Sequence, residues 1–126
     1  MSAESRYNLS HEVIGVLYAV YNELGFGYQE KHYYRGIKIG LEEKKFKVSE
    51  QLPAVLTVSG KFVGRYFLDF LVENEKEKLV LELKIAEKVY PQHIRQVLSY
   101  LKANNLKYGL TGVYSTHGVI IKRVAN

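Results

Sequence analysis

Three charged residues within two short apolar segments have the types and the spacing to bind a cation. Asp69 interrupts the apolar run of residues 65–72, and Glu82 and Lys84 interrupt the run of residues 79–84. A buried and unpaired charge in such a segment costs several kcal/mol, so these charges require an explanation. They are the first candidates for a functional site.

The charged segment of residues 73–78 separates these two runs and predicts a hairpin turn, because it mixes both signs of charge between two β-prone strands. A turn at its centre places Asp69 directly opposite Glu82. Directly opposed residues share a face of the sheet, with Cβ atoms roughly 5 Å apart. The alternation of a strand puts Lys84 on that same face.

Two carboxylates at this separation repel each other unless a cation lies between them, and carboxylate oxygens suit Mg²⁺ or Mn²⁺. The chain has no cysteine, so thiolate ligands are excluded and oxygen or histidine ligands remain. The pattern therefore predicts a metal site on the hairpin. The alternative is a structural network of buried ion pairs.

Composition places limits on the class of protein. The chain has 126 residues and is 47% hydrophobic, which predicts one domain spanning residues 1–126. It has no apolar run near the roughly 20 residues of a membrane span, and residues 1–7 lack the apolar core of a signal peptide. We therefore expect a cytoplasmic protein without a membrane partner. The net charge of +5 weakly favours a polyanionic partner.

Hydrophobic periodicity predicts the order α-α-β-β-β-α-β-β. The predicted helices span residues 10–24, with Ser10 as N-cap, residues 28–45 and residues 91–104. The predicted strands span residues 48–59, 62–72, 78–85, 106–114 and 119–124. Pro53 predicts that the first part of the first strand is an edge or a bulge. An antiparallel meander followed by a helical crossover predicts an α/β fold of the mixed-sheet, α+β type.

Asp69, a gap, then Glu82-x-Lys84 on adjacent strands, followed by a helix and a strand, resembles the PD-(D/E)XK nuclease superfamily and its restriction endonuclease-like fold. Gly27-Tyr-Gln-Glu30 is similar to the motif that names the GxxE protein family, a small-domain branch of that superfamily. The pair Gln96 and Tyr100 resembles the helix motif of RecB-type nucleases. The similarity covers nearly the whole chain.

This resemblance implies a metal-dependent nuclease that uses Mg²⁺ or Mn²⁺. It makes Asp69 and Glu82 metal ligands, with the backbone carbonyl of Leu83 as a third oxygen. It makes Lys84 the group that positions or activates water, and Glu30 an accessory acid. From its position alone, Glu30 could instead complement the dipole of its helix.

The resemblance also implies a nucleic acid as the partner, with DNA favoured over RNA and a homodimer allowed. Gln96 and Tyr100 would contact the nucleic-acid backbone or orient Lys84, and the alternative is a polar shoulder of their helix. A second function remains open, because a nuclease fold can serve as a catalytically inactive module that binds nucleic acid or protein.

The chain departs from the superfamily pattern at several positions. Leu68 replaces the proline that precedes the first acidic residue, and Phe67 stands where a basic or small residue is common. Residues 109–114 lack the character expected of the late strand. These departures leave the metal ligands intact and affect the substrate contacts.

Overall fold

Helices and strands follow the predicted order in residues 8–126, the part of the chain that the computed structural model describes. The helices are α1 (Leu9–Leu24), α2 (Glu30–Glu43) and α3 (Pro91–Ala103). The strands are β1 (Lys47–Val58), β2 (Lys61–Glu73), β3 (Lys78–Ile85), β4 (Tyr108–Ser115) and β5 (Gly118–Ala125). Residues 1–7, for which we predict no signal peptide, lie outside the described residues. Within residues 8–126, none of the helices is long and apolar enough to cross a membrane.

The five strands form one sheet in the order β1-β2-β3-β4-β5. The β3–β4 pair, joined through α3, is parallel, and the other three pairs are antiparallel. This arrangement confirms the predicted mixed sheet, since a helical crossover joins the parallel strands. Pro53 lies in the edge strand β1, which confirms the edge, the first of the two alternatives predicted for it.

The helices cover both faces of the sheet and create two apolar clusters. Neighbouring residues of β3 point into different clusters, because side chains alternate along a strand. The α1–α2 cluster contains Leu9, Val13, Val16, Leu17, Tyr33, Ile37, Leu41, Phe70, Val72, Leu79, Leu81, Leu83, Leu110 and Tyr114. The α3 cluster contains Leu52, Leu68, Val80, Val97, Leu101 and Val124. The central strand β3 is therefore buried on both sides.

Two glycines of α2 allow this helix to pack closely on α1. A Cβ atom added at Gly40 would lie 2.7 Å from Val16 Cγ1, and one at Gly36 would lie 3.1 Å from Val20 Cγ1. In the sequence these glycines argue against a regular helix, but α2 runs through both without interruption. Tertiary packing outweighs their low helix propensity.

The predicted helix starts need two corrections. Ser10 is not the N-cap of α1; Asn8 is, because its side chain accepts a hydrogen bond from the N–H of His11 at 3.0 Å. The second helix starts at Glu30, two residues after the predicted start, since Gln29 has an extended backbone. Its predicted end at residue 45 is also wrong, because α2 ends at Glu43.

Candidate active site

The hairpin of β2 and β3 has the predicted register. Phe70 pairs with Leu81, and the pairing continues to Glu73 and Lys78 at the turn. Asp69 and Glu82 follow directly beyond the last of these pairs. The two carboxylates therefore lie where the two strands begin to part.

Each carboxylate accepts a hydrogen bond from the backbone of the opposite strand. The N–H of Asp69 donates to Glu82 Oε1 at 2.9 Å, and the N–H of Leu83 donates to Asp69 Oδ2 at 2.8 Å. Side-chain oxygens thus replace the backbone carbonyls of a regular ladder. Lys84 completes the group, with its Nζ atom 3.1 Å from Glu82 Oε2. We refer to Asp69 and Glu82 as the acid pair.

The acid pair is buried, and the side chains of β2 switch from one face of the sheet to the other at Asp69. Asp69 is 9% exposed and Glu82 is 2% exposed. Leu68 belongs to the α3 cluster, whereas Phe70, two residues later, belongs to the α1–α2 cluster. Regular alternation would put these two side chains on the same face. The backbone of β2 is therefore irregular at Asp69, which lies between core residues Leu68 and Phe70.

Burial raises the pKa values of both acids. Burial, followed by the charge of Glu82, raises the pKa of Asp69 to about 7. Burial also raises the pKa of Glu82, although Lys84 opposes this effect. For Lys84, burial favours the neutral amine, but the charges of Glu82, Glu30 and Asp69 outweigh it and raise the pKa. Lys84 therefore holds its proton.

Glu30, the first residue of α2, lies within electrostatic range of the acid pair and Lys84. Burial and then the charge of Asp69 raise its pKa, while Lys84 lowers it. The side chain remains exposed to solvent. Glu30, the predicted accessory acid, is thus near Asp69 and Lys84. An interaction with the helix dipole does not by itself account for this proximity.

Gln96 and Tyr100 lie half-buried on α3. Tyr100 packs against the α3 cluster, and burial raises its pKa. Among the described residues, no hydrogen bond joins the side chain of Gln96 or Tyr100 to Lys84. The α3 residue that the charge of Lys84 does reach is His93, whose pKa is lowered by burial and then by that charge.

Three polar residues that sequence reasoning did not select surround the acid pair. Tyr34 stacks on Phe70 with ring centroids 4.5 Å apart, and its hydroxyl donates to Glu50 at 2.8 Å. Burial, with smaller contributions from Glu50 and Asp69, raises the pKa of Tyr34 to about 12. Gln51 donates to that hydroxyl at 3.3 Å. No sequence signal distinguishes Tyr34 from a core residue of α2.

Gln51 has φ 53, a backbone conformation that is uncommon for a residue other than glycine. It lies in β1 between the residues paired with Phe70 and Leu68, and therefore across from Asp69. Strained backbone of this kind concentrates at functional sites. The third residue, Tyr66, donates its hydroxyl to the backbone carbonyl of Gln96 at 3.0 Å and so ties β2 to α3.

The donor set fits a hard divalent cation. The acid pair supplies oxygen ligands whose pKa values are raised chiefly by burial, so a bound cation would favour their ionised forms. Within residues 8–126, no group of three or more His, Cys, Asp or Glu side chains could hold a metal ion. Further ligands would have to come from the Leu83 carbonyl, water or phosphate oxygens. Mg²⁺ is commonly bound in this way, through one or two carboxylates and substrate phosphates.

Comparison with known protein families identifies the chain. A model of the PD-(D/E)XK nuclease superfamily matches residues 7–123. The chain therefore belongs to the PD-(D/E)XK nuclease superfamily. Its mixed five-stranded sheet with three helices is the restriction endonuclease-like fold, which confirms the predicted fold class.

Solved structures show distant similarity. The crystal structure of SSO0001 has a TM-score of 0.58 and 14% sequence identity, covering 76% of this chain and 50% of that one. The alkaline exonuclease LHK-Exo from Laribacter hongkongensis has a TM-score of 0.49 and 17% identity, covering 76% and 54%. Hjc, a Holliday junction resolvase from Archaeoglobus fulgidus, has a TM-score of 0.47 and 11% identity, covering 75% and 70%.

The chain spans about half the length of SSO0001, and a likeness at this identity shows the fold alone. A search among curated proteins finds no match.

Proposed function

We propose that this protein is a nuclease that hydrolyses phosphodiester bonds of DNA at the acid pair with the aid of Mg²⁺ or Mn²⁺. The observation that carries the proposal is the reciprocal arrangement of Asp69 and Glu82 at the open end of the hairpin, with Lys84 3.1 Å from Glu82. A buried pair of acids with raised pKa values is costly for stability alone. Membership of a nuclease superfamily supports a catalytic reason for it.

In this proposal Asp69, Glu82 and the Leu83 carbonyl hold the divalent cation. When bound, the ion would polarise the phosphate and lower the pKa of a water molecule. The acid pair fixes the ion's position because both carboxylates are themselves held by backbone N–H groups. The hairpin thereby aligns the ligands before substrate arrives.

Lys84 acts in the proposal as a cation that orients water and stabilises negative charge on the phosphate. Its raised pKa argues against a general base, because a base must be neutral before it accepts a proton. Glu30 is the better candidate for the accessory acid that handles the proton, since it is exposed and close to Lys84. Gln96 and Tyr100 would contact the nucleic-acid backbone.

The distribution of charge supports a nucleic-acid partner. Residues 88–126 contain six of the 18 Lys and Arg residues and none of the 13 Asp and Glu residues, so they carry a charge of +6. Residues 1–87 carry a charge of −1, which accounts for the net charge of +5. Arg95 and Lys102 are exposed on α3, and Lys122 and Arg123 are exposed on β5. Exposed basic side chains attract the phosphate backbone without reading its sequence.

We also propose membership of the GxxE branch. Support comes from Gly27-Tyr-Gln-Glu30, in which φ 117 at Gly27 favours glycine and Glu30 begins α2 next to the acid pair. A single domain over residues 1–126, a cytoplasmic location and a homodimer remain predictions.

A cleavage assay tests the proposed function. Purified protein would be incubated with labelled DNA and labelled RNA in Mg²⁺, Mn²⁺ or a chelator, beside Asp69→Ala and Lys84→Ala variants. We expect fragments from DNA only with a divalent cation, and a loss of fragments in both variants. Lys44→Ala, which removes an exposed lysine paired with Glu12, serves as the control and should cleave normally. A mobility shift without fragments at any ion concentration would instead indicate a binding module.

A further inference from the structure

The β1–β2 hairpin extends well beyond the acid pair as a two-stranded ribbon, which we define as residues 53–67. Its pairing continues from Pro53 and Phe67 to Val58 and Lys61. The ribbon exposes six large apolar side chains: Val55 (59%), Leu56 (46%), Val58 (63%), Phe62 (60%), Val63 (60%) and Phe67 (48%). Such a concentration of exposed apolar side chains marks a binding surface.

One face of the ribbon is attached to the body of the protein. Ala54 and Tyr66 are paired on this face, Ala54 is buried, and Tyr66 packs against the α3 cluster. The hydroxyl of Tyr66 anchors the face through its hydrogen bond to Gln96. The ribbon is therefore held in place at its base, although a free two-stranded hairpin is only marginally stable.

The opposite face is uncovered, and we call it the outer face. Pro53 pairs with Phe67 and Val55 pairs with Arg65 on this face. A shift of register between Leu56 and Thr57 then brings Phe62 onto it, since the Arg65 guanidinium lies 5.5 Å from the Phe62 ring centroid. Two aromatic rings and a cation thus line one exposed surface.

The charge of the ribbon complements a phosphate backbone. Residues 51–68 contain no Asp or Glu, while they contain Lys61 and Arg65. Surfaces that bind single-stranded nucleic acid combine cations with exposed aromatic rings, on which bases stack. Arginine next to such a ring adds a cation–π contribution.

The ribbon adjoins the acid pair along β2, where the side chains switch faces between Leu68 and Phe70. Phe67 precedes Asp69 by two residues, a distance of about 7 Å along a strand. A nucleotide bound at Phe67 would therefore lie at the start of the segment that holds the acid pair, on the face opposite the α3 cluster. The ribbon would guide the adjacent nucleotides toward Phe62.

A second copy of this chain is the less favourable occupant. Pro53 lacks an N–H donor, and the extra residue Val63 in β2, between the pairs Leu56–Gly64 and Thr57–Phe62, increases the local twist of the ribbon. Both features hinder pairing of the β1 edge with another strand. A stable protein interface takes about 20–30 residues from each partner. The outer face offers far fewer.

We propose that the outer face binds unpaired nucleotides of a DNA strand, with bases stacked on Phe62 and Phe67 and phosphates near Lys61 and Arg65. This inference rests on the proposed function for the identity of the ligand. It implies that the protein prefers single-stranded or frayed DNA to a closed duplex, because the bases of a closed duplex already stack on each other.

Fluorescence anisotropy in a chelator, where cleavage cannot occur, tests the inference. The probes are labelled oligothymidylate and a blunt duplex of equal length. We expect the wild-type protein to bind the single strand more tightly, and Phe62→Leu and Phe67→Leu each to lose about 10-fold in affinity for it. Leucine keeps an apolar side chain but removes the flat ring. Phe67→Trp should retain or improve binding.

Tyr18→Leu is the matched control, since Tyr18 is an aromatic residue on α1 with 44% exposure and lies outside the ribbon. It should bind like wild type. Thermal melting checks that every variant folds. Equal affinity for strand and duplex, or unchanged affinity in both Phe→Leu variants, would overturn the inference. So would light scattering that shows a dimer which Phe62→Leu converts to monomer.

Cleavage of the same probes in Mg²⁺ separates the inference from the proposed function. Ring-dependent binding by a wild-type protein that never cleaves would refute the nuclease and support the ribbon as a binding surface. Cleavage at equal rates by wild type and both Phe→Leu variants would support the nuclease and refute the role of the ribbon.

Discussion

Strand β2 places a buried charge near one end and exposed apolar rings at the other. Residues 70–73 pair on both sides, with β1 and β3, whereas residues 61–67 pair with β1 alone. Asp69 is 9% exposed at the boundary, and Phe62 is 60% exposed near the free end. A strand chosen for stability alone would have the opposite pattern. Departures of this kind are expected where a protein binds or reacts.

The two departures adjoin on one strand and lie on either side of the point where its side chains switch faces. The paired half of β2 holds the acid pair rigidly between two apolar clusters. The free half carries the aromatic rings and the cation proposed to bind single-stranded DNA. The same strand would therefore provide both the reacting position and the approach to it.

The largest expected effect comes from the buried half. Asp69→Asn keeps an oxygen acceptor for the N–H of Leu83 but removes the negative charge. We expect cleavage to fall by about 1,000-fold or more, since a bound cation supplies several kcal/mol at about 1.4 kcal/mol per factor of ten. Single-turnover cleavage in Mg²⁺ measures this effect.

Thermal melting provides the control for Asp69→Asn. The variant should melt at or above the wild-type temperature in a chelator, because it no longer buries a charge. Wild-type cleavage rates in a folded Asp69→Asn protein would refute the assigned role of the acid pair.

Neighbouring residues at the boundary should differ sharply in their effect on stability. Leu68 is fully buried, so Leu68→Ala should lower the free energy of unfolding by about 2–5 kcal/mol. Phe67 is 48% exposed, so Phe67→Ala should change it by about 0.5 kcal/mol or less. Urea denaturation of both variants measures the contrast, and similar losses would show that the outer face is covered by protein.

The free energy of unfolding should depend on pH because Asp69 ionises while it is buried. The pKa of Asp69 in the folded state is about 7, above its ordinary value of 3.8. Deprotonation therefore costs the folded state more than the unfolded chain, so stability is lost as the pH rises from about 4 through about 7. Each unit of pKa difference corresponds to about 1.4 kcal/mol.

Melting temperatures in a chelator from about pH 5 to about pH 8 test this dependence against Asp69→Asn. The variant should gain on the wild type as the pH rises, and Mg²⁺ should reduce its advantage at the highest pH. A difference that does not change with pH would mean that Asp69 stays ionised throughout.

The last expected effect concerns the hydrogen bond that anchors the ribbon. Tyr66→Phe removes the hydrogen bond from the Tyr66 hydroxyl to the carbonyl of Gln96 and should cost about 1 kcal/mol in stability. Because the ribbon stays paired, binding of single-stranded DNA should weaken only slightly. A loss as large as that of Phe67→Leu would indicate that orientation, and not stacking, governs binding.

Local pattern was sufficient to predict the hairpin. Opposite charges in residues 73–78 mark the turn, and period-two alternation in the flanking strands determines the register. The same local logic predicts β3 with the bounds observed in the structure. Helix starts were less predictable, because Asn8 and Ser10 are equally good capping types and only the backbone conformation selects one.

The surroundings of the acid pair required the tertiary structure. Most of α2, all of β1 and part of β2 separate Glu30 from Asp69 in the chain. Only the packing of α2 against the sheet brings the two residues close. Tyr34 and Gln51 look like a core residue and a strand residue in the sequence. The positive φ of Gln51 accompanies the irregular backbone across from Asp69, and no sequence pattern predicts either feature.

The sequence by itself determined the order of elements, the register of the hairpin and the identity of its three charged residues, because short-range periodicity governs each of them. Only the tertiary structure decided that each carboxylate accepts a hydrogen bond from a backbone N–H of the opposite strand. It also decided that burial raises the pKa of Asp69 and that one face of the ribbon stays uncovered. Burial and electrostatic coupling depend on every element packed around a residue, whereas a strand's pattern depends on its neighbours in the chain.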